Sequence, residues 1–242
     1  MPNEKVRYPD LLPHEFRARL QTRPIAYLPL GTLEWHGEHL PLGSDALISE
    51  GLFVRCARKF GGIVLPPIHL GPDRTRLEPD GSYLQGMEYH ESTTPPRKLD
   101  GSCYWASQGF FLQLIDVILE QVKRAGFKAV VADGHGPSRW SWVREIEERQ
   151  ARFGLKLIGI SADDIKAGWK SQVDHAARNE TSLVMALRPE LADASRLPAD
   201  RSIWPQGLGG QDPRDASAAY GEECLAGAVE VIGNKLRGAG LL

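Results

Sequence analysis

The residues with most chemistry to offer lie in Gly31-Thr32-Leu33-Glu34-Trp35-His36-Gly37-Glu38-His39-Leu40-Pro41, a polar cluster set directly after an apolar run. Residues two apart in an extended segment face the same side, so Glu34 and His36 can present an oxygen and a nitrogen to one ion. A solvated surface loop would use the same residue types. Further on, Asp45 opens an apolar helical pattern, where it serves either as an N-cap or as a carboxylate able to bridge two ions. His135 follows a second apolar run between Gly134 and Gly136, whose backbone freedom lets another group approach closely. It reads equally as a turn histidine held by backbone carbonyls or as a metal ligand. Asp174, His175 and Glu180 form a further polar group ahead of a helical stretch. There Asn179 or Thr181 could cap the helix while Glu180 favours its positive end.

Other catalytic signatures are absent: no HExxH zinc helix, no GxSxG elbow and no GxxxxGK[ST] phosphate loop. Gly207-Leu208-Gly209-Gly210 has neither the full GxGxxG pattern nor a strand before it, so it is not read as a phosphate turn.

Apolar periodicity defines the elements that must position these residues. It predicts strands over Pro24 to Leu30, Ile63 to Leu65, Lys128 to Ala132 and Leu155 to Ile160. Helices are expected after Ser44 and Asp45, over Phe110 to Val122, Ser138 to Phe153, Asn179 to Leu187 and Ala218 to Leu236. Strand and helix alternation argues for βαβ units and a three-layer α/β/α sandwich with a mostly parallel sheet, whose ligands collect at the carboxyl ends of the strands. Glu34, His36 and His135 fall at such ends. From Pro72 to Ser102 the periodicity fails, which predicts a long excursion. Trp140, Trp142 and Trp169 are candidates for an aromatic wall, or for core packing.

With 29 basic and 31 acidic residues, the net charge of -2 leaves no footprint for nucleic acid and points to small-molecule partners. A chain of 242 residues with 42% hydrophobic content is expected to form a single domain over 1–242. Three cysteines without a CxxC pair disfavour a disulfide framework and a thiolate zinc site, and suggest the cytoplasm. Charges from Glu4 to Arg17 interrupt the N-terminus, so no signal peptide is expected there. No uncharged apolar run reaches the roughly 18 residues that a membrane span needs.

Taken in order, Leu28 to Asp45 closely resembles the opening signature of the creatininase family. The resemblance continues in Asp133-Gly134-His135-Gly136, in His175-Ala176 with Glu180-Thr181-Ser182, and in Gly210-Gln211-Asp212-Pro213. It implies an α/β sandwich, often assembled as a hexamer from dimers, with two divalent ions, zinc, manganese or iron, near the strand ends. By position, Glu34 and His135 would hold one ion, His36 the other, Asp45 would bridge them, and Glu180 would be the remaining ligand. His175 would protonate the departing nitrogen while the ions share a hydroxide and polarise an amide carbonyl. The activity implied is cleavage of a C–N bond in a cyclic amide or formamide, with modified peptides or sugar conjugates as alternative substrates and a non-catalytic metal-stabilised binding subunit as the other reading. Pro137-Ser138 departs from the family pattern: the ligand that creatinine hydrolases use beside this histidine is absent.

Overall fold

The computed structural model describes residues 5–242, so the part of the N-terminal reading that rests on Met1 to Glu4 lies outside the described residues. In chain order the elements are α1 (Pro13–Thr22), β1 (Ile25–Leu30), α2 (Ser44–Phe60), β2 (Ile63–Val64), β3 (Thr75–Leu77), β4 (Tyr83–Gln85) and α3 (Gln108–Arg124). After these come β5 (Ala129–Gly134), α4 (Gly136–Arg144), α5 (Ile146–Phe153), β6 (Lys156–Ile158), α6 (Ala162–Lys166), α7 (Arg178–Leu187) and α8 (Ala218–Gly238).

Four strands form a parallel sheet in the order β2-β1-β5-β6. Side chains alternate along each strand, so Ile25, Tyr27, Ala129 and Val131 pack on one face against α2, α7 and α8. Ala26, Leu28, Leu30, Val130 and Ala132 pack on the other, against α3, Trp142 of α4 and Phe153 of α5. Two cores with the sheet between them make the three-layer sandwich that the alternation of elements predicts. The fully buried Ile48, Leu52 and Phe53 of α2 each contribute about 1.5–3 kcal/mol to holding that helix on the sheet.

This topology creates one reversal. From β1 the chain crosses over one face to β2, and from β5 it crosses over the opposite face to β6, so the crevice between β1 and β5 opens at their carboxyl ends. Register brings those ends together: Leu30 pairs with Gly134, and His135 donates its backbone N–H to the Leu30 carbonyl at 3.0 Å. A Cβ on Gly134 would lie 1.7 Å from that carbonyl oxygen, so only glycine permits the approach.

Several expected boundaries shift. The Ser138 to Phe153 helix is two helices, because Glu145 leaves helical geometry (φ -107°, ψ 5°) with no glycine or proline to mark the bend. Neither Ser44 nor Asp45 caps α2: Gly43 occupies the N-cap, Ser44 donates to the Pro41 carbonyl, and Asp45 lies inside the first turn. β5 runs two residues past Ala132, because Asp133 and Gly134 continue the ladder with β1. The excursion from Pro72 to Ser102 contains the antiparallel hairpin β3–β4 followed by a 3-10 turn over Gly86–Tyr89. Periodicity missed α1 and the short α6. Cys56 and Cys224 are buried free thiols and Cys103 is exposed. Among the described residues, no helix is long and apolar enough to cross a membrane.

Candidate metal centre

The loop after β1 turns inward. Glu34, His36 and Asp45 are 4%, 0% and 3% exposed, so the solvated-loop reading fails. His36 Nδ1 lies 3.0 Å from the Glu34 carbonyl, which can only accept, so Nδ1 carries the proton and Nε2 presents its lone pair. That Nε2 faces Asp45 Oδ2 and Glu180 Oε2, each at 3.6 Å. Both His36 Nε2 and Asp45 Oδ2 are buried without a hydrogen-bond partner. His135 projects from the end of β5, its Nδ1 held 3.0 Å from the Ser138 hydroxyl, and its Nε2 faces Glu34 Oε1 at 3.6 Å and Asp73 Oδ2 at 3.9 Å.

His175 reaches the same place from the opposite side. An isolated antiparallel bridge to Gly209 holds its backbone, so the glycine-rich 207–210 segment serves to position this histidine. Its Nε2 is 2.7 Å from the Trp35 carbonyl and is therefore the protonated nitrogen, leaving Nδ1 facing Glu34 Oε1 at 3.7 Å. Glu180 sits in the first turn of α7, where its Oε2 accepts the Ala176 N–H at 2.7 Å. The cap of α7 is neither Asn179 nor Thr181 but the Asp174 carboxylate, which accepts from the backbone N–H groups of Asn179 and Glu180. Thr181 instead meets His39 at 2.9 Å, tying the loop after β1 to α7.

Donor atoms thus converge in three overlapping groups, each within 4.8 Å: Glu34, Asp73 and His135; His36, Asp45 and Glu180; and Glu34, His36 and His175. The six residues that the sequence offers as ligands or proton donor, Glu34, His36, Asp45, His135, His175 and Glu180, are brought together here. Asp73 joins them unforeseen, since it comes from the aperiodic Gly71-Pro72-Asp73-Arg74 turn and no local pattern marks it. Burial, and then the neighbouring Asp45 carboxylate, pushes the Glu34 and Glu180 acids well above the usual carboxylate range. Burial likewise depresses the imidazoles, to about 4 at His36 and about 3 at His175, and lowers His135. Neutral lone pairs facing carboxylate oxygens repel one another, and none of the four carboxylates makes a salt bridge to a lysine or arginine among the described residues. A mixed nitrogen and oxygen set with orphaned donors fits borderline divalent cations.

The cavity over these atoms has a volume of about 710 Å³, the size of a small-molecule site. Trp140 lines it, whereas Trp142 and Trp169 are buried and donate to the Ile158 and Ser171 carbonyls, so one tryptophan of the three reaches the site. Asp133, beside the motif histidine, turns away from the centre to pair with the buried Arg139 at 2.5 Å.

The family model for creatininase, described as creatinine amidohydrolase, matches residues 10–236. A creatinine amidohydrolase of Pseudomonas putida is 25% identical over 203 residues, which cover 76% of this chain and 72% of that protein. A solved creatinine amidohydrolase (creatininase) structure superimposes with a TM-score of 0.72 at 20% identity, covering 99% of both chains. Another, named creatininase Mn, gives 0.71 at 20% identity over 98% of this chain and 99% of its own. These likenesses establish the fold, and the match along nearly the whole sequence establishes the kinship: the chain belongs to the creatininase family.

Proposed function

We propose that the chain is a metal-dependent amidohydrolase that cleaves a C–N bond, of cyclic amide or formamide type, in a small molecule. The observation that carries this reading is the convergence of three imidazole lone pairs and four carboxylates at the carboxyl ends of β1 and β5, with no salt bridge to a lysine or arginine among the described residues. Glu34 and His135 would hold one divalent ion, and His36 and Glu180 a second. Asp45 lies beside His36 and raises the Glu34 acid, which suits a carboxylate shared between the two. Manganese or zinc fits this donor set. When bound, such ions polarise the amide carbonyl and acidify water.

The chain's own residues do the remaining work. His175 is neutral at rest because burial depresses it, and its Nδ1 is free because Nε2–H is committed to Trp35. It therefore takes the proton of the attacking water and passes it to the departing nitrogen. Trp140 offers a flat wall to a planar amide. Arg74 and Arg144 line the same cavity and form no salt bridge among the described residues, which favours a substrate bearing an anionic group. The family match over residues 10–236 supports one hydrolase domain over 1–242 and a homo-oligomer, hexameric in the family's usual form, and the free cysteines favour a place in the cytoplasm.

The test separates proton transfer from metal binding. Loaded with manganese, the chain should hydrolyse members of a panel of lactams and formamides, carboxylated ones ahead of neutral ones. His175→Ala should keep its metal and lose about 10²–10⁴ in rate. With a leaving group that needs no protonation, the loss should shrink. Metal loss in step with activity would mean that His175 is a ligand, and the proton role would fall.

A further inference from the structure

Resting on the two-ion reading, we infer that Asp73, delivered by the excursion between β2 and α3, is a metal ligand that completes the Glu34 and His135 set. Helix α4 directs no carboxylate toward His135: from Gly136 to Arg144 it contains neither Asp nor Glu, and the residue after Gly136 is Pro137. Without a further donor, that half of the centre would have one imidazole, Glu34 and whatever share of Asp45 reaches it. Asp73 fills the gap from a different part of the chain. Its Oδ2 lies 3.9 Å from His135 Nε2, its side chain is 7% exposed, and its donor atom falls within 4.8 Å of those of Glu34 and His135.

The carboxylate is built into its position. Asp73 Oδ1 accepts the backbone N–H of Arg74 at 2.6 Å, which leaves Oδ2 to point at the histidine. The hairpin β3–β4 brings the chain back, and Gly86 N–H donates to the Arg74 carbonyl at 3.0 Å, closing the hairpin base over the site. Gly86 has a φ of +54°, and a Cβ there would lie 2.2 Å from Asp73 Oδ2 and 3.6 Å from Glu34 Oε2. Glycine is thus required both for the backbone conformation and for the space that the carboxylate occupies. The excursion that shows no periodicity is, on this reading, the segment that finishes the metal centre.

Equilibrium dialysis of the full chain against manganese, with bound metal counted by elemental analysis, tests this without using activity. The wild type should bind two ions. Asp73→Asn, which keeps the shape and removes the charge, should bind one as before and the other at least about 10-fold more weakly. Gly86→Ala should weaken the same ion by displacing the carboxylate, while circular dichroism of both variants stays that of the wild type. Two ions bound to Asp73→Asn with unchanged affinity would overturn the assignment and leave the two-ion reading standing. Loss of both ions from a folded Asp73→Asn would make the residue a support for the whole cluster and not a ligand of one set. A wild type that binds fewer than two ions would remove the two-ion reading, and the assignment with it.

Discussion

Two buried sets of charges stand at the end of β5, and they are finished in opposite ways. Asp133 and Arg139, 0% and 2% exposed, close on each other: the guanidinium donates to both carboxylate oxygens, and its other N–H groups reach the Ser171 and Gln172 carbonyls. Two residues further on, His135 belongs to a set in which four carboxylates face imidazole lone pairs, with His36 Nε2 and Asp45 Oδ2 left without partners. Burying an ion costs several kcal/mol unless it is matched by charge and hydrogen bonds. The fold offsets part of that cost at Asp133, where burial still holds the acid above its ordinary range despite the arginine, and leaves it open beside His135. The arginine pairing at Asp133 and the unpaired set beside His135 differ in this respect, and the open set supports the cation site proposed above.

The largest expected effect comes from breaking the open set. Asp45→Ala should lose both ions and all hydrolysis above background, because this carboxylate is proposed to touch both. Metal analysis of the purified variant checks it, and full retention of metal would end the two-ion assignment. Breaking the closed set should instead cost stability and spare metal. Removing one partner of a buried pair strands the other charge, so Arg139→Met should destabilise the fold by about 3–5 kcal/mol in urea melts. Pairing it with Asp133→Leu should recover most of that loss, since well-packed apolar replacements of a buried pair are tolerated. A single variant within about 1 kcal/mol of the wild type would show that Asp133 is relieved by something other than Arg139.

A smaller effect sharpens the comparison with a buried group that is neither paired to a charge nor part of the cation set. His39 is 2% exposed, and burial holds its imidazole down to about 4. The unfolded value is about 6.5, so between the two the unfolded chain binds a proton that the folded chain refuses. Its stability contribution is complete above that unfolded value and is lost as pH falls through about 4. The slope approaches about 1.4 kcal/mol per pH unit. Urea melts of metal-free wild type and His39→Leu at about pH 7 and about pH 5 should differ by this one proton. Equal pH sensitivity in the two proteins would assign the acid loss elsewhere.

How much of this was legible beforehand depends on how local each determinant is. Strand periods, the helix after Asp45 and the ordered run Glu34, His36, Asp45, His135, His175 and Glu180 are encoded by near neighbours and by residue type, and they carry both the sandwich and the principal donors. The kink at Glu145 was hidden because neither a glycine nor a proline marks it. Only the tertiary structure decided that Asp133 turns to Arg139, that Asp174 caps α7, and that Asp73, at the base of the β3–β4 hairpin, meets His135. Each depends on contacts between residues distant in sequence or on a backbone direction that no local spacing encodes. Sequence determines which donors exist and which strand ends present them. Folding decides which remain unpaired in low dielectric, because that depends on what every other element brings within hydrogen-bond reach.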